Sequence, residues 1–91
     1  MIMINVHNSD IRDLFLSILD FNASPEAEPP PTVSGLRVNQ GALVQVAIQE
    51  NSRGDGSIRW IVQSADDATL TATRDVTPSS NSQIDVTTQF G

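Results

Sequence analysis

The chain has 91 residues and a formal net charge of −6, with eleven acidic residues, five arginines, no lysine, one histidine and no cysteine. Its length suits one small domain, within the roughly 50 to 250 residues of ordinary domains. The missing cysteine excludes disulfides, thiolate nucleophiles, iron–sulfur clusters and cysteine zinc sites, and leaves the compartment undetermined.

The first residues alternate: Ile2, Ile4 and Val6 against Met3, Asn5 and His7, the period of a short strand. Asn8 and Ser9 then resemble a helix N-cap, with Asp10 and Asp13 placed to favour the positive end of a helix dipole. Ile11, Leu14, Phe15, Ile18 and Leu19 follow at i, i+3, i+4, i+7 and i+8, which predicts an amphipathic helix with one apolar face. Residues 23–33, ASPEAEPPPTV, carry Pro25, Pro29, Pro30 and Pro31. They predict an extended, polyproline-like linker or an arm lying along a neighbouring subunit.

From Ser34 onward the pattern is that of strands. Leu36 and Val38 alternate with Arg37, then Asn39-Gln40-Gly41 supplies a turn. Val44, Val46 and Ile48 alternate with Gln45, Ala47 and Gln49. Asn51–Ser57 reads as a glycine-rich hairpin loop. Ile58, Trp60 and Val62 share one face, with Trp60 expected at the centre of the core and its indole N–H paired. After the loop at Ser64–Ala68, Leu70 and Ala72 alternate with Thr69, Thr71 and Thr73. Pro78–Ser82 is turn-like, and Ile84, Val86, Thr88 and Phe90 alternate with polar residues. Short strands at roughly 8–12-residue spacing predict a sandwich or barrel. The expected division is a strand–helix segment over 1–22, a proline-rich arm over 23–33 and a β-sandwich core over 34–91.

Chemistry-bearing residues are sparse. His7 lies on the polar face of the first strand with no nucleophile motif beside it, so a surface role is expected. Glu50, Asp55, Asp66 and Asp67 offer oxygen ligands near two loops, yet Arg53 stands where a calcium loop would need a ligand. Arg53-Gly54-Asp55 is the integrin tripeptide, but its residues are those any tight turn selects. Gly54 and Gly56 lack the third glycine and following helix of a dinucleotide fingerprint. Thr69, Thr71 and Thr73 form an outward threonine row with good strand propensity.

Leu36–Val38, Gly41, Val44–Ile48 and Trp60, followed by Asp67 and Ala68, resemble the first half of a bacterial immunoglobulin-like domain. Asn51, Gly56 and Trp60 also follow the outline of chagasin-type inhibitors of papain-like cysteine proteases. The Pro-Thr-Thr that follows the asparagine in that family is replaced here by Ser52-Arg53-Gly54-Asp55, and the later arginine–proline–aromatic loop is absent. The resemblance implies a β-sandwich and, for the second family, a wedge of end loops entering a protease cleft.

The sequence therefore predicts a mainly β protein, an antiparallel immunoglobulin-like sandwich with an N-terminal strand and amphipathic helix. The expected role is a non-catalytic interaction or structural module, without metal or cofactor, in a larger assembly such as a virion or surface structure. Its partner would be another protein or a second copy. An acidic chain whose arginines (Arg12, Arg37, Arg53, Arg59 and Arg74) are scattered fits neither nucleic acid nor an anionic membrane surface. No segment has the roughly 18–20 apolar residues of a membrane span, and the N-terminus lacks the basic region of a secretory signal. Candidate partner-binding residues are Ile11, Phe15 and Leu19 on the helix face and Asn51, Arg53 and Asp55 in the loop. The alternatives are a chagasin-like protease inhibitor and a glycan- or calcium-binding sandwich.

Overall fold

A computed structural model describes residues 1–23 and 31–89. It is mainly β, with seven strands in two sheets and no helix among the described residues. The strands are β1 (Ile2–Asn8), β2 (Leu14–Asp20), β3 (Pro31–Val38), β4 (Leu43–Ile48), β5 (Ile58–Ser64), β6 (Thr71–Val76) and β7 (Gln83–Val86). One sheet has the order β4-β1-β7 and the other β3-β2-β5-β6. Neighbours are antiparallel except β1 and β7, which are parallel.

The inward faces of both sheets supply a single core. Ile4 and Val6, Val46 and Ile48, and Ile84 and Val86 come from the three-stranded sheet. Leu14, Leu16 and Ile18, Val38, and Ile58, Trp60 and Val62 come from the four-stranded one. This is a sandwich-like arrangement, in which alternate residues of each strand point to the shared interior. Trp60 lies buried on β5, opposite Ile18 of β2 and Arg74 of β6.

The predicted amphipathic helix is replaced by β2. Its segment, Leu14-Phe15-Leu16-Ser17-Ile18-Leu19-Asp20, satisfies two periods at once. The helical reading groups Leu14, Phe15, Ile18 and Leu19, whereas the strand groups Leu14, Leu16, Ile18 and Asp20. The second group is the buried one. Pairing with β3 on one side and β5 on the other satisfies the backbone of β2 along its length, so tertiary context overrides the local pattern. Asn8, expected as an N-cap, and Asp10, expected in the first helical turn, do accept from backbone N–H groups, but those of a turn. Asn8 Oδ1 accepts from the N–H of Asp10 at 2.9 Å, and Asp10 Oδ1 from that of Arg12 at 3.2 Å.

β1 is the middle strand of its sheet and β2 an interior strand of the other, so residues 1–20 share the core of residues 34–89. Of the expected arm, residues 24–30 lie outside the described residues, while Pro31–Val33 open β3. Pro31 sits on an edge strand, where a missing N–H costs no ladder bond on the open side. Further along β3 the register slips opposite Ser17, whose hydroxyl accepts from the N–H of Gly35 at 3.1 Å. Gly35 takes φ +63° there, the left-handed conformation that a glycine bulge requires.

The expected hairpin at Asn51–Ser57 is also corrected. β4 pairs with β1 and β5 with β2, so this loop crosses from one sheet to the other. The connections β1–β2, β3–β4 and β6–β7 cross likewise, leaving β2–β3 and β5–β6 as the pairs joined within a sheet. Alternation marks strands but does not say which strand each will pair with. The last two strands shift as well. β6 runs to Val76 instead of ending near Thr73, and β7 ends at Val86.

Candidate interaction surface

The buried polar residues of the described chain are Asn8, Asp10, Asp20 and Ser64, and each fastens a loop. Asn8 Nδ2 donates to the carbonyls of Arg12 at 2.8 Å and Val38 at 2.9 Å, which ties the β1–β2 crossing to the end of β3. Asp10 Oδ2 accepts from the Thr87 hydroxyl at 3.1 Å, the Thr88 N–H at 2.7 Å and the Thr88 hydroxyl at 2.6 Å. Burial pushes the Asp10 carboxyl up. The hydrogen bonds from Thr88, Thr87 and the Arg12 backbone together outweigh it and hold the group below the usual carboxylate range, because they stabilise the charged form. Arg12 lies 3.6 Å from the other carboxylate oxygen. Asp20 accepts from the N–H groups of Asn22 at 3.1 Å and Gln49 at 2.8 Å. Ser64 Oγ accepts from those of Asp66 and Asp67. No buried side-chain nitrogen or oxygen of the described residues lacks a partner.

The sequence pattern places Asn8 and Asp10 at a helix start, whereas their spacing also fits a turn. Asn8-Ser9-Asp10 and Asp10-Ile11-Arg12 have the spacing of a side chain that accepts from the N–H two residues on. Their burial had no sequence signal.

The candidate partner-binding residues separate into three places. Ile11 projects from the β1–β2 loop and is 61% exposed. Phe15 and Leu19 lie on the outward face of the four-stranded sheet, in register with Gln63 and Arg59 of β5. Ile61 sits between them in the ladder, opposite Ser17 and Thr73. Arginines cover this face in part. Arg37 lies 5.9 Å from the Phe15 ring centre and pairs with Asp13 at 2.8 Å. Arg59 lies 5.4 Å from the Phe21 ring centre and grips Asp75 with two bonds of 2.7 and 3.2 Å. The backbone N–H of Gln40 and the guanidinium of Arg37 hold the Asp13 carboxyl below its ordinary value, and Arg59 does the same for Asp75.

Asn51, Arg53 and Asp55 occupy the β4–β5 crossing, at the end of the molecule near the start of β1, where the Met1 ammonium pairs with Glu50. Asn51 Oδ1 accepts from the N–H groups of Arg53 at 2.8 Å and Asp55 at 3.2 Å, and Gly54 adopts φ +83°. Arg53-Gly54-Asp55 is thus a tight turn. The N–H of Gly56 donates to the Pro78 carbonyl at 2.8 Å, which joins this loop to Pro78–Ser82. A protease wedge would draw on Asn51–Ser57 with Ser64–Ala68 and Pro78–Ser82; the strand directions put Ser64–Ala68 at the opposite end, so the first and last of these loops are neighbours and Ser64–Ala68 is not.

His7 is half-buried on the outward face of the three-stranded sheet, its Nδ1 3.2 Å from Asp85. Asp67 turns its carboxylate onto the N–H and hydroxyl of Thr69, at 3.0 and 2.6 Å. Those bonds hold its carboxyl below the usual range. Among the described residues no group of three or more His, Asp or Glu converges on a point, and no cavity opens.

Because Phe15 points outward, Phe15→Asp is expected to keep the fold and cost under about 1 kcal/mol, the range of surface substitutions. Urea titration followed by circular dichroism checks this. Loss of the folded state would mean that the ring belongs to the core.

Comparison with family models, curated proteins and solved structures finds no match to this chain.

Proposed function

We propose that this protein is a non-catalytic interaction or structural module, a small component of a larger protein assembly. The observation that carries the reading is how its polar and apolar groups are distributed. The buried polar side chains are spent on fastening loops. Large apolar side chains, meanwhile, stand at the surface: Ile11, Phe15 and Leu36 with Leu43 and Met3. Such groups gain free energy when another surface removes them from water. The immunoglobulin-like reading extends here to architecture, a three-stranded and a four-stranded sheet face to face. The strand orders β4-β1-β7 and β3-β2-β5-β6 differ from the constant-type pattern, which in chain order is first-second-fifth-fourth and third-sixth-seventh.

The test is the size of the species that contains the chain in an extract of cells that make it. A complex several times larger than 9.8 kDa, from which the chain is released by mild denaturant, supports the reading. A chain that elutes free at its own mass sinks it. The second reading, a protease inhibitor, draws on the neighbouring end loops Asn51–Ser57 and Pro78–Ser82. Full papain activity at micromolar concentrations of this protein would remove it.

A further inference from the structure

Four strands form the borders of the two sheets: β3, β4, β6 and β7. Two of these edges are blunted. β3 begins at Pro31 and carries the bulge at Gly35, and β7 is four residues long. Proline, bulges and shortness are the usual devices that stop a sheet edge from pairing. β4 and β6 have none of them. Of the two, β6 carries Thr71 and Thr73 of the threonine row; it is six residues long and keeps regular register with β5 from Thr71 to Val76, without proline, glycine or slip.

The register says which groups face outward from that edge. The N–H of Ser64 donates to the Leu70 carbonyl, so Ser64 and Leu70 form a hydrogen-bonded pair. Alternation along the ladder then makes Val62–Ala72, Trp60–Arg74 and Ile58–Val76 the bonded pairs. The backbone N–H and C=O groups of Thr71, Thr73 and Asp75 consequently point away from β5, and no described strand pairs with them.

We infer that β6 pairs antiparallel with β6 of a second copy, about a two-fold axis at Thr73. The inference rests on the proposed role as an interaction module and names its partner and surface. The edge is complementary to itself in that register. Thr73 meets Thr73 of the second copy, Thr71 meets Asp75, and each pair exchanges two backbone hydrogen bonds. Cross-strand threonine pairs are favourable side-chain neighbours, and a threonine hydroxyl can donate to the carboxylate opposite it. Arg59 already neutralises Asp75, so no unpaired charge is brought to the seam. On the inner face Arg74 meets Ala72 of the second copy, a small side chain and not a like charge. The two four-stranded sheets become one continuous sheet, and the threonine row noted in the sequence lies along its seam. With a charge of −6 on each copy, screening favours association, so the dimer strengthens as salt is raised.

The absence of native cysteine makes the test clean. In the dimer the two Thr73 Cα atoms lie about 5.5 Å apart, within the range a disulfide spans. The two Thr71 Cα atoms, offset by four residues along neighbouring strands, lie about 14 Å apart. Thr73→Cys is expected to crosslink on mild oxidation at least tenfold faster than Thr71→Cys. Comparable rates would indicate random collision and overturn the inference. Sedimentation of the unmodified full chain over a hundredfold concentration range should show a monomer–dimer equilibrium. Thr73→Pro removes an N–H that faces away from β5 and should abolish the dimer while leaving the monomer folded. Thr73→Asp, which sets two like charges face to face on the axis, provides a second variant should the proline disturb β6.

A chain that is monomeric throughout overturns the inference, as does a dimer that survives both substitutions. Neither result touches the proposed function if the chain still resides in a large complex in its cells. A free chain there with an intact β6 dimer would instead remove the larger assembly.

Discussion

Replacing Asp10 by alanine is expected to lower the stability of this protein by about 3 kcal/mol, the scale of losing hydrogen bonds to a buried charged group and stranding their donors. The carboxylate is fully buried. It accepts from the Thr88 N–H and hydroxyl, the Thr87 hydroxyl and the Arg12 N–H. Alanine leaves those donors without an acceptor where the chain beyond β7 folds against the β1–β2 crossing. At roughly 4–8 °C per kcal/mol for a domain of this size, the melting temperature should fall by about 12–24 °C. Thermal unfolding followed through the fluorescence of Trp60 measures it. A fall under about 4 °C would mean that the Asp10 contacts contribute little.

The same carboxylate sets part of the pH dependence. Its folded-state value is depressed, so the stability it contributes is fully present above the unfolded carboxyl value near 3.9. That stability is lost as pH falls through the folded value. Asp13, Glu50, Asp67 and Asp75 shift in the same direction and add to the acid limb. Stability should thus decline below about pH 4, and the decline should be shallower in Asp10→Ala, which has no Asp10 contribution left to lose.

Trp60→Ala is expected to cost about 4 kcal/mol, from the roughly 3–5 kcal/mol range for aromatic truncation in a core. Trp60 is the bulkiest of the fully buried side chains. It stands in the inner row of β5 between Ile58 and Val62 and faces Ile18 across the ladder. In a 91-residue chain the loss compares with the lower end of total domain stability, about 5 kcal/mol. The variant should therefore populate unfolded molecules at room temperature. Urea titration followed by far-ultraviolet circular dichroism reports this without the tryptophan. Trp60→Phe, which keeps an aromatic ring in place, should recover at least half of the loss. A midpoint unchanged in Trp60→Ala would mean that the core closes without the indole.

The contrast between β5 and β2 shows how much of the fold was legible. Ile58-Arg59-Trp60-Ile61-Val62-Gln63 permits few readings, because Ile58, Trp60 and Val62 fall on one face of a strand and Ile61 is the one bulky apolar residue on the other. Leu14–Leu19 permits two, and the leucine-rich run fits a helix by its spacing. Only the neighbouring β3 and β5, brought up from distant parts of the chain, select the strand. The candidate surface was legible in part. Phe15 and Leu19 do lie together on one outward face, but as alternate residues of a strand. Ile11 and the Asn51–Asp55 turn lie elsewhere.

The sequence by itself determined the β class, the alternation of β1, β4 and β5, the turns at Gly41 and Gly54, and the burial of Trp60. Each of these is a property of a few neighbouring residues, carried by a two-residue period or by a glycine in a turn. Tertiary structure alone decided that β2 is a strand and that the loop after β4 crosses between sheets. It also decided that Asp10 and Asp20 are buried and that β6 is left as a regular open edge. Those outcomes depend on which strands meet, a choice made by long-range pairing and shared burial that no local window contains.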